Sequence, residues 1–382
     1  MTVWFVPIGA LRMTWGLLKR TSPENAGGGE NLTEAERHFK ALEAGVDQFG
    51  GNNDAAPVLE AYRMLCEKYG EEAAMARFRR SAYRLLLNIF RTGLFENPYL
   101  DLKTSLETVG CPEFMEKGYR SQLRSITMLK NKAHTLPLQK GIKIFVPERF
   151  IRSYLDFMSH PTQPQTIVPA GKQILAECFV LVDTPEEADA AVCFVESPIS
   201  VGYDPGDREK GGNGCVPLTL QYRPYQAINA REQSIAGGDP LEESKNRSYR
   251  GKWNTAANEA DLDIVLDTKK RMGEKPVVTV VTLKNPMVMA ELEPYTDALL
   301  VEYGVTPRAV ADVLTGAFSP EGLLPVQIPE DMDTVERQCE DVAFDMTCHR
   351  DSEGHIYDFG FGLNFDGVIC DERTRRYRKG EK

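Results

Sequence analysis

The side chains best equipped for chemistry gather in one stretch, FVESPISVGYDPGD, residues 194–207. Glu196 closes an apolar run there, and Tyr203, Asp204 and Asp207 follow it in a polar loop. In open α/β sheets the carboxyl ends of strands line the crevice where ligands bind. A carboxyl placed in such a crevice can serve as an acid or a base when a closed cleft strengthens its hold on a proton. The plainer alternative is a solvated carboxylate at a strand end. Other chemistries find less support. The eight cysteines stand singly, with no CxxC pair, and the five histidines show no HExxH spacing, so no metal or other cofactor is expected. Cys178 and Cys193 sit in apolar runs and read as small core residues. The GGNG at 211–214 lacks the strand-then-helix frame of a phosphate loop and reads as a turn. The basic run RTRRYRK near the C-terminus reads as a solvated tail.

The elements that must position Glu196 come next. The chain has 382 residues, enough for two domains. Its formal charge of −11 disfavours a nucleic-acid partner or an anionic membrane surface and fits a neutral or cationic small substrate. The apolar start, MTVWFVPIGALRMTWGLL, lacks a basic leader and is interrupted by Arg12, so neither a signal peptide nor a membrane span is expected; a cut-off buried strand is. Unpaired cysteines and the missing leader make a cytoplasmic location the expectation.

Thr33 with Glu36 forms a capping-box pattern that opens a helix ending near Ala44. A strand-like piece, Val46 to Phe49, is followed by helical patterns over 56–69 and 71–92. A helix is expected from Glu113 to about Asn131. Continuous Val/Ile/Leu runs then mark parallel strands at 142–146, 178–182, 190–195, 277–282 and 298–303. Helical patterns at 149–158, 259–272 and 307–316 alternate with them, as in an open, mostly parallel sheet. The polar stretch from Pro198 to Asn254 is too long for an ordinary connection and reads as functional or disordered.

These motifs resemble a known family in their order. AGVDQFGGNNDA (44–55) and SAYRLLLNIFRTGLFENPYLD (81–101) resemble the end of the barrel domain of family 3 glycoside hydrolases, the β-glucosidase family. SITMLKNKAHTLPL (125–138), AAVCFVESP (190–198), GLLPVQIP (322–329) and YDFGFGLNF (357–365) resemble successive parts of its second domain. The resemblance implies an α/β fold in two parts: an incomplete (β/α)8-barrel remnant over 1–103, and an open, mostly parallel three-layer α/β sandwich over 104–382. A whole barrel takes about 250 residues, far more than precede the sandwich here.

The implied chemistry is retaining hydrolysis of terminal β-D-glucosyl or similar residues, from an oligosaccharide or an aryl or alkyl β-glucoside. It needs two carboxyl groups about 5 Å apart at one cleft. The family's nucleophile is an Asp in a motif like G-V-V-x-T-D-W-G, and its acid/base is commonly a Glu from the second domain. Glu196 is the acid/base position that the resemblance favours, with Asp204 and Asp207 in the same loop as the alternatives for that role and as candidate substrate-binding carboxylates. GALRMTWG (9–16) falls where the nucleophile motif would lie; Trp15 and Gly16 match it, but Thr14 stands at the Asp. Trp15 could stack on a sugar ring or simply fill a core. Asp47 is expected to support a strand end by hydrogen bonding. A truncated, weakly active hydrolase is the first expectation. The alternative is a non-catalytic sugar-binding subunit, acting as a homo-oligomer or completing a barrel supplied by a partner chain.

Overall fold

The computed structural model describes residues 5–7, 32–50, 54–156, 160–232, 246–338 and 344–376. Thr14, Trp15 and Gly16 lie outside the described residues. The chain divides into two compact units, residues 1–110 with 233–247, and 111–232 with 248–382.

In the first unit, strands β1 (Phe5–Pro7) and β2 (Gln48–Gly50) pair in parallel. Helices Glu34–Glu43, Ala56–Tyr69 and Glu71–Arg91 accompany them. The first helix starts as its sequence directs: Thr33 Oγ accepts from the Glu36 N–H and the Glu36 carboxylate accepts from the Thr33 N–H. Leu42, Ala61, Leu65 and Ala74 form the apolar core of this unit. Asp47 ends the turn before β2 with its side chain buried. Ser81 donates to it at 2.8 Å, Arg84 at 3.0 Å and Arg77 at 3.3 Å. It supports the strand end by hydrogen bonding, as expected.

The second unit is a mixed α/β fold around a mostly parallel sheet. Its strands are β3 (Thr127–Asn131), β4 (Lys143–Phe145), β5 (Arg149–Ile151), β6 (Gln165–Ile167), β7 (Val180–Val182) and β8 (Ala190–Glu196). They continue with β9 (Tyr225–Gln226), β10 (Trp253–Asn254), β11 (Val277–Thr282), β12 (Ala298–Glu302), β13 (Leu363–Asn364) and β14 (Gly367–Val368). Eight of them form one sheet in the order β14-β13-β3-β12-β11-β8-β4-β7. The five from β12 to β7 run parallel, and the edge from β3 to β14 is antiparallel.

Alternation along the central strands explains why they read as unbroken apolar runs. Val192, Val278, Val280 and Leu300 face one core, with Val310, Val313 and Leu314 of the helix Pro307–Leu314. Cys193, Val195, Val277, Val281 and Val301 face the other, with Leu262 and Val265 of the helix Ala260–Met272. Both faces are covered, so nearly every position is buried, and each large side chain contributes roughly 1.5–3 kcal/mol.

Two expected elements are corrected. The helix placed over 113–131 stops at Ser125, and Thr127–Asn131 is β3. Ile126, Met128 and Leu129 are fully buried, on opposite faces of the sheet, and their pairing with β12 overrides a helical reading. The helix placed over 149–158 begins instead as β5, paired antiparallel with β6. Arg149 and Ile151 are buried while Phe150 is exposed, a period of two rather than 3.6. No helix among the described residues is long and apolar enough to cross a membrane.

Candidate active site

Glu196 is the last residue of β8, level with Thr282 at the end of β11. Its backbone is pinned from both directions. Its N–H donates to Asp261 Oδ2 at 3.1 Å, and its carbonyl accepts from Tyr222 Oη at 2.6 Å and Asn258 Nδ2 at 3.0 Å. Asn258 and Asp261 are fully buried at the start of the helix Ala260–Met272, so the helix that covers one face of the sheet also fixes the strand end. Asn258 Oδ1 then accepts from the Ile199 N–H at 2.7 Å and sets the course of the chain beyond Glu196.

Two cations bracket the carboxylate. Arg149 Nη2 stands 3.6 Å from Glu196 Oε2, and Lys284 Nζ makes an ion pair with Oε1. The cations differ in freedom. Arg149 is buried and forks onto Asp261, with Nε to Oδ1 at 2.8 Å and Nη2 to Oδ2 at 2.6 Å. Burial works against its charge, but the bonds to Asp261 and the nearby Glu196 outweigh that and hold the guanidinium firmly protonated. Lys284 is 66% exposed. Beneath them, burial pushes the Tyr222 phenol well above its usual range, so it stays protonated and donates to the Glu196 carbonyl.

Glu196 opens into a cavity of about 330 Å³. Tyr154, Pro198, Ile199, Leu218 and Leu220 supply its apolar lining, and Ser197, Ser200, Thr219, Lys284 and Asn285 its polar lining. The wall is stapled by Asn254, whose Nδ2 donates to Ser200 Oγ at 3.2 Å, the Val201 carbonyl at 2.9 Å and the Pro217 carbonyl at 2.7 Å. A buried carboxylate beside a preformed cavity can accept hydroxyl protons from a ligand or exchange a proton with it once Lys284 moves away.

Asp204 and Asp207 do not line this cavity. Asp204 caps the short helix Pro205–Glu209 and accepts from the Gly206 N–H at 2.9 Å. Asp207 accepts from Lys252 Nζ at 2.6 Å and from the Gly214 N–H at 2.8 Å, and these bonds hold its carboxyl below the usual range. Asp207 and Tyr203 crowd the GGNG turn: a Cβ on Gly212 would come within 2.2 Å of Asp207, and one on Gly214 within 2.4 Å of Tyr203. Sequence reasoning missed Tyr154, Lys284 and Asn285. Lys284 and Asn285 carry a signal of their own, because they follow directly on the carboxyl end of β11, which lies beside β8. Tyr154 carries none, since it lies in the segment expected to be helical.

Asp351, Glu353 and His355 bring ligand-type atoms within 4.8 Å of one another. The Asp351 carboxylate is already engaged, by the N–H groups of Glu353 and His355, the His355 ring and the Tyr357 hydroxyl.

A mostly parallel sheet with helices on both faces and a cavity at its strand ends places this unit in the mixed α/β class. The chain belongs to the glycosyl hydrolase family 3 C-terminal domain family, whose model matches residues 126–365. It is 28% identical over 371 residues to β-glucosidase C of Emericella nidulans, covering 94% of this chain and 47% of that protein. It is 25% identical over 336 residues to the periplasmic β-glucosidase/β-xylosidase of Dickeya chrysanthemi, covering 88% of this chain and 40% of that protein. The fold is like that of a β-glucosidase from Listeria innocua solved with glucose, at a TM-score of 0.52 and 18% identity, covering 95% of this chain and 47% of that one. The resemblance seen in the sequence is thus shown. The chain spans about half the length of the curated relatives it matches.

Proposed function

We propose that this chain is the acid/base half of a β-glucosidase-type retaining glycoside hydrolase, with Glu196 as the carboxyl that meets the glycosidic oxygen. The observation that carries this reading is the placement of Glu196: a nearly buried carboxylate, backbone-anchored, at a strand end that opens into a cavity. The relatives named as β-glucosidases support the substrate class, a terminal β-D-glucosyl residue of an oligosaccharide or of an aryl or alkyl β-glucoside. In this reading the first unit is the end of a barrel.

Retaining chemistry needs two carboxyl groups about 5 Å apart. Glu196 is the single carboxylate residue lining the cavity among the described residues. In this reading the second carboxyl comes from outside the residues that line this cavity.

The purified chain is expected to release 4-nitrophenol from its β-glucoside no faster than Glu196→Gln. Turnover at ordinary enzyme rates, abolished by Glu196→Gln, would overturn the half-enzyme reading. With the unmatched half of a relative supplied in trans, activity should appear. Glu196→Gln should then lower kcat by about 10²–10⁴, and a loss below tenfold removes Glu196 from the chemistry.

A second reading, a sugar-binding subunit that completes a barrel from another chain, is favoured by one observation. Tyr83, Leu86, Phe90, Leu94, Phe95 and Tyr99 are exposed along one continuous stretch of the first unit, an apolar surface that calls for a cover.

A further inference from the structure

The first unit carries two apolar stripes that stand open to solvent. On the helix Glu71–Arg91, Met75, Tyr83, Leu86 and Phe90 project within an arc of about 80° and are 39–59% exposed. The other side of this helix packs inward: Ala74 is buried in the core of the unit, and the Phe78 ring lies edge-on to Tyr62 of the helix Ala56–Tyr69. A helix that is apolar on two sides needs two covers, and this one has one.

The second stripe lies just beyond. The chain turns after Thr92, with the Phe90 and Phe95 rings 4.9 Å apart, and continues as the short helix Leu102–Thr108. Leu102 and Leu106, one turn apart on the same side, are 72% and 74% exposed, and no residue of this helix is buried. Isolated helices shorter than about 12–15 residues are marginal in water, so this arm also needs a surface to lie on. Its own copy does not supply one, because both stripes are open at once.

Charge identifies the missing surface. The rim of the first stripe is basic: Arg79, Arg80 and Arg91 are exposed, and none of them makes an ion pair with a described residue. The arm is acidic, with Glu96, Asp101 and Glu107 against the single Lys103. Lys103 Nζ stands 3.9 Å from Glu107, and Asp101 caps the short helix through the Thr104 N–H, so Glu96 is left with no ion pair among the described residues. One chain therefore carries both a basic apolar stripe and an acidic apolar arm, and each complements the other. Two copies about a two-fold axis satisfy both at once, each stripe taking the partner's arm, and the assembly closes at two.

We propose that this surface is a self-association site: residues 94–109 of one copy lie across the Met75–Phe90 stripe of a second copy, and the exchange is reciprocal. This goes beyond the catalytic reading of Glu196 and does not depend on it.

The test is sedimentation equilibrium of the full chain, whose mass is 42.8 kDa. A dimer of twice that mass is expected. Leu86→Glu on the stripe and Leu106→Glu on the arm should each weaken dimerisation by about tenfold or more. Both side chains are exposed, so the far-UV circular dichroism of the two variants should match the wild type. Two charge variants distinguish arm exchange from other pairings. Arg79→Glu with Arg80→Glu, and separately Glu96→Lys with Glu107→Lys, should each weaken the dimer by setting like charges together. Mixing these two variants should restore a dimer, because in the mixed pair every stripe again meets an arm of opposite charge. A chain that stays monomeric up to about 100 μM overturns the proposal. So does a chain that pairs only with an added unmatched half of a relative, which gives the surface to that partner. Association that is unchanged by Leu86→Glu and Leu106→Glu overturns the surface, and a mixture that recovers no dimer overturns the exchange.

Discussion

Replacing Glu293 by Gln should destabilise the sheet-bearing unit by about 3 kcal/mol at neutral pH, and by much less in acid. The Glu293 side chain is 2% exposed. Lys130 Nζ reaches its Oε1 at 2.5 Å and the Ser352 hydroxyl donates to the same oxygen at 2.9 Å, while His349 Nε2 stands 3.6 Å from Oε2. Burial alone raises such a carboxyl, but the contacts from His349, Lys130 and Ser352 prevail and bring it down to about 2 from the usual 4.5. At about 1.4 kcal/mol per pH unit, that difference is worth about 3 kcal/mol. An independent route gives the same size. The substitution strands Lys130, itself 2% exposed, without its counter-charge, and breaking a buried pair costs about 3–5 kcal/mol.

Because the folded carboxyl is depressed, its contribution is present in full above the unfolded value of 4.5 and fades as pH falls toward about 2. Urea unfolding of the full chain, measured at pH 7 and again near pH 3, reads both effects. The gap between wild type and Glu293→Gln should be about 3 kcal/mol at pH 7 and should narrow in acid. A gap below about 1 kcal/mol at pH 7, or one that is the same at both pH values, refutes the reasoning. Lys130→Met combined with Glu293→Leu should recover much of the loss, because neither charge then remains to be desolvated.

Asp47→Ala removes one acceptor shared by Ser81, Arg77 and Arg84, and should destabilise the first unit by about 2–3 kcal/mol, read as earlier thermal loss of helical signal. Burial raises the Asp47 carboxyl, but Ser81 and the two arginines bring it below its usual value, so its contribution should persist at neutral pH and fade in acid. Gly322→Ala should cost about 1–3 kcal/mol, since the new Cβ would lie 2.5 Å from the Ile126 carbonyl, against backbone that cannot swing away; an unchanged melting temperature would count against that packing.

What the sequence revealed depended on how local the determining contact was. The capping box at Thr33 is complete within four residues and was readable as written. The central strands were readable because both faces are buried, which leaves an unbroken apolar run. β3 was hidden for the converse reason: a helix runs directly into it, and its identity comes from pairing with β12, far along the chain. The strand at Arg149 was read as helix because its extended conformation is set by pairing with β6, where Arg149 stands opposite Ile167, beyond any short window.

The same distinction separates the parts of the site. Glu196 could be found from sequence because strand-end position is a local property, read from the run that precedes it. Arg149 and Asp261 could not, because they reach it from separate segments that only the folded sheet brings together, whereas Lys284, just past the carboxyl end of β11, carries the same local signal. Asp204 and Asp207 mark the opposite error. Closeness in sequence suggested a shared role with Glu196, whereas their hydrogen bonds commit them to the turn that follows. Among the described residues Glu196 alone brings a carboxylate to the cavity.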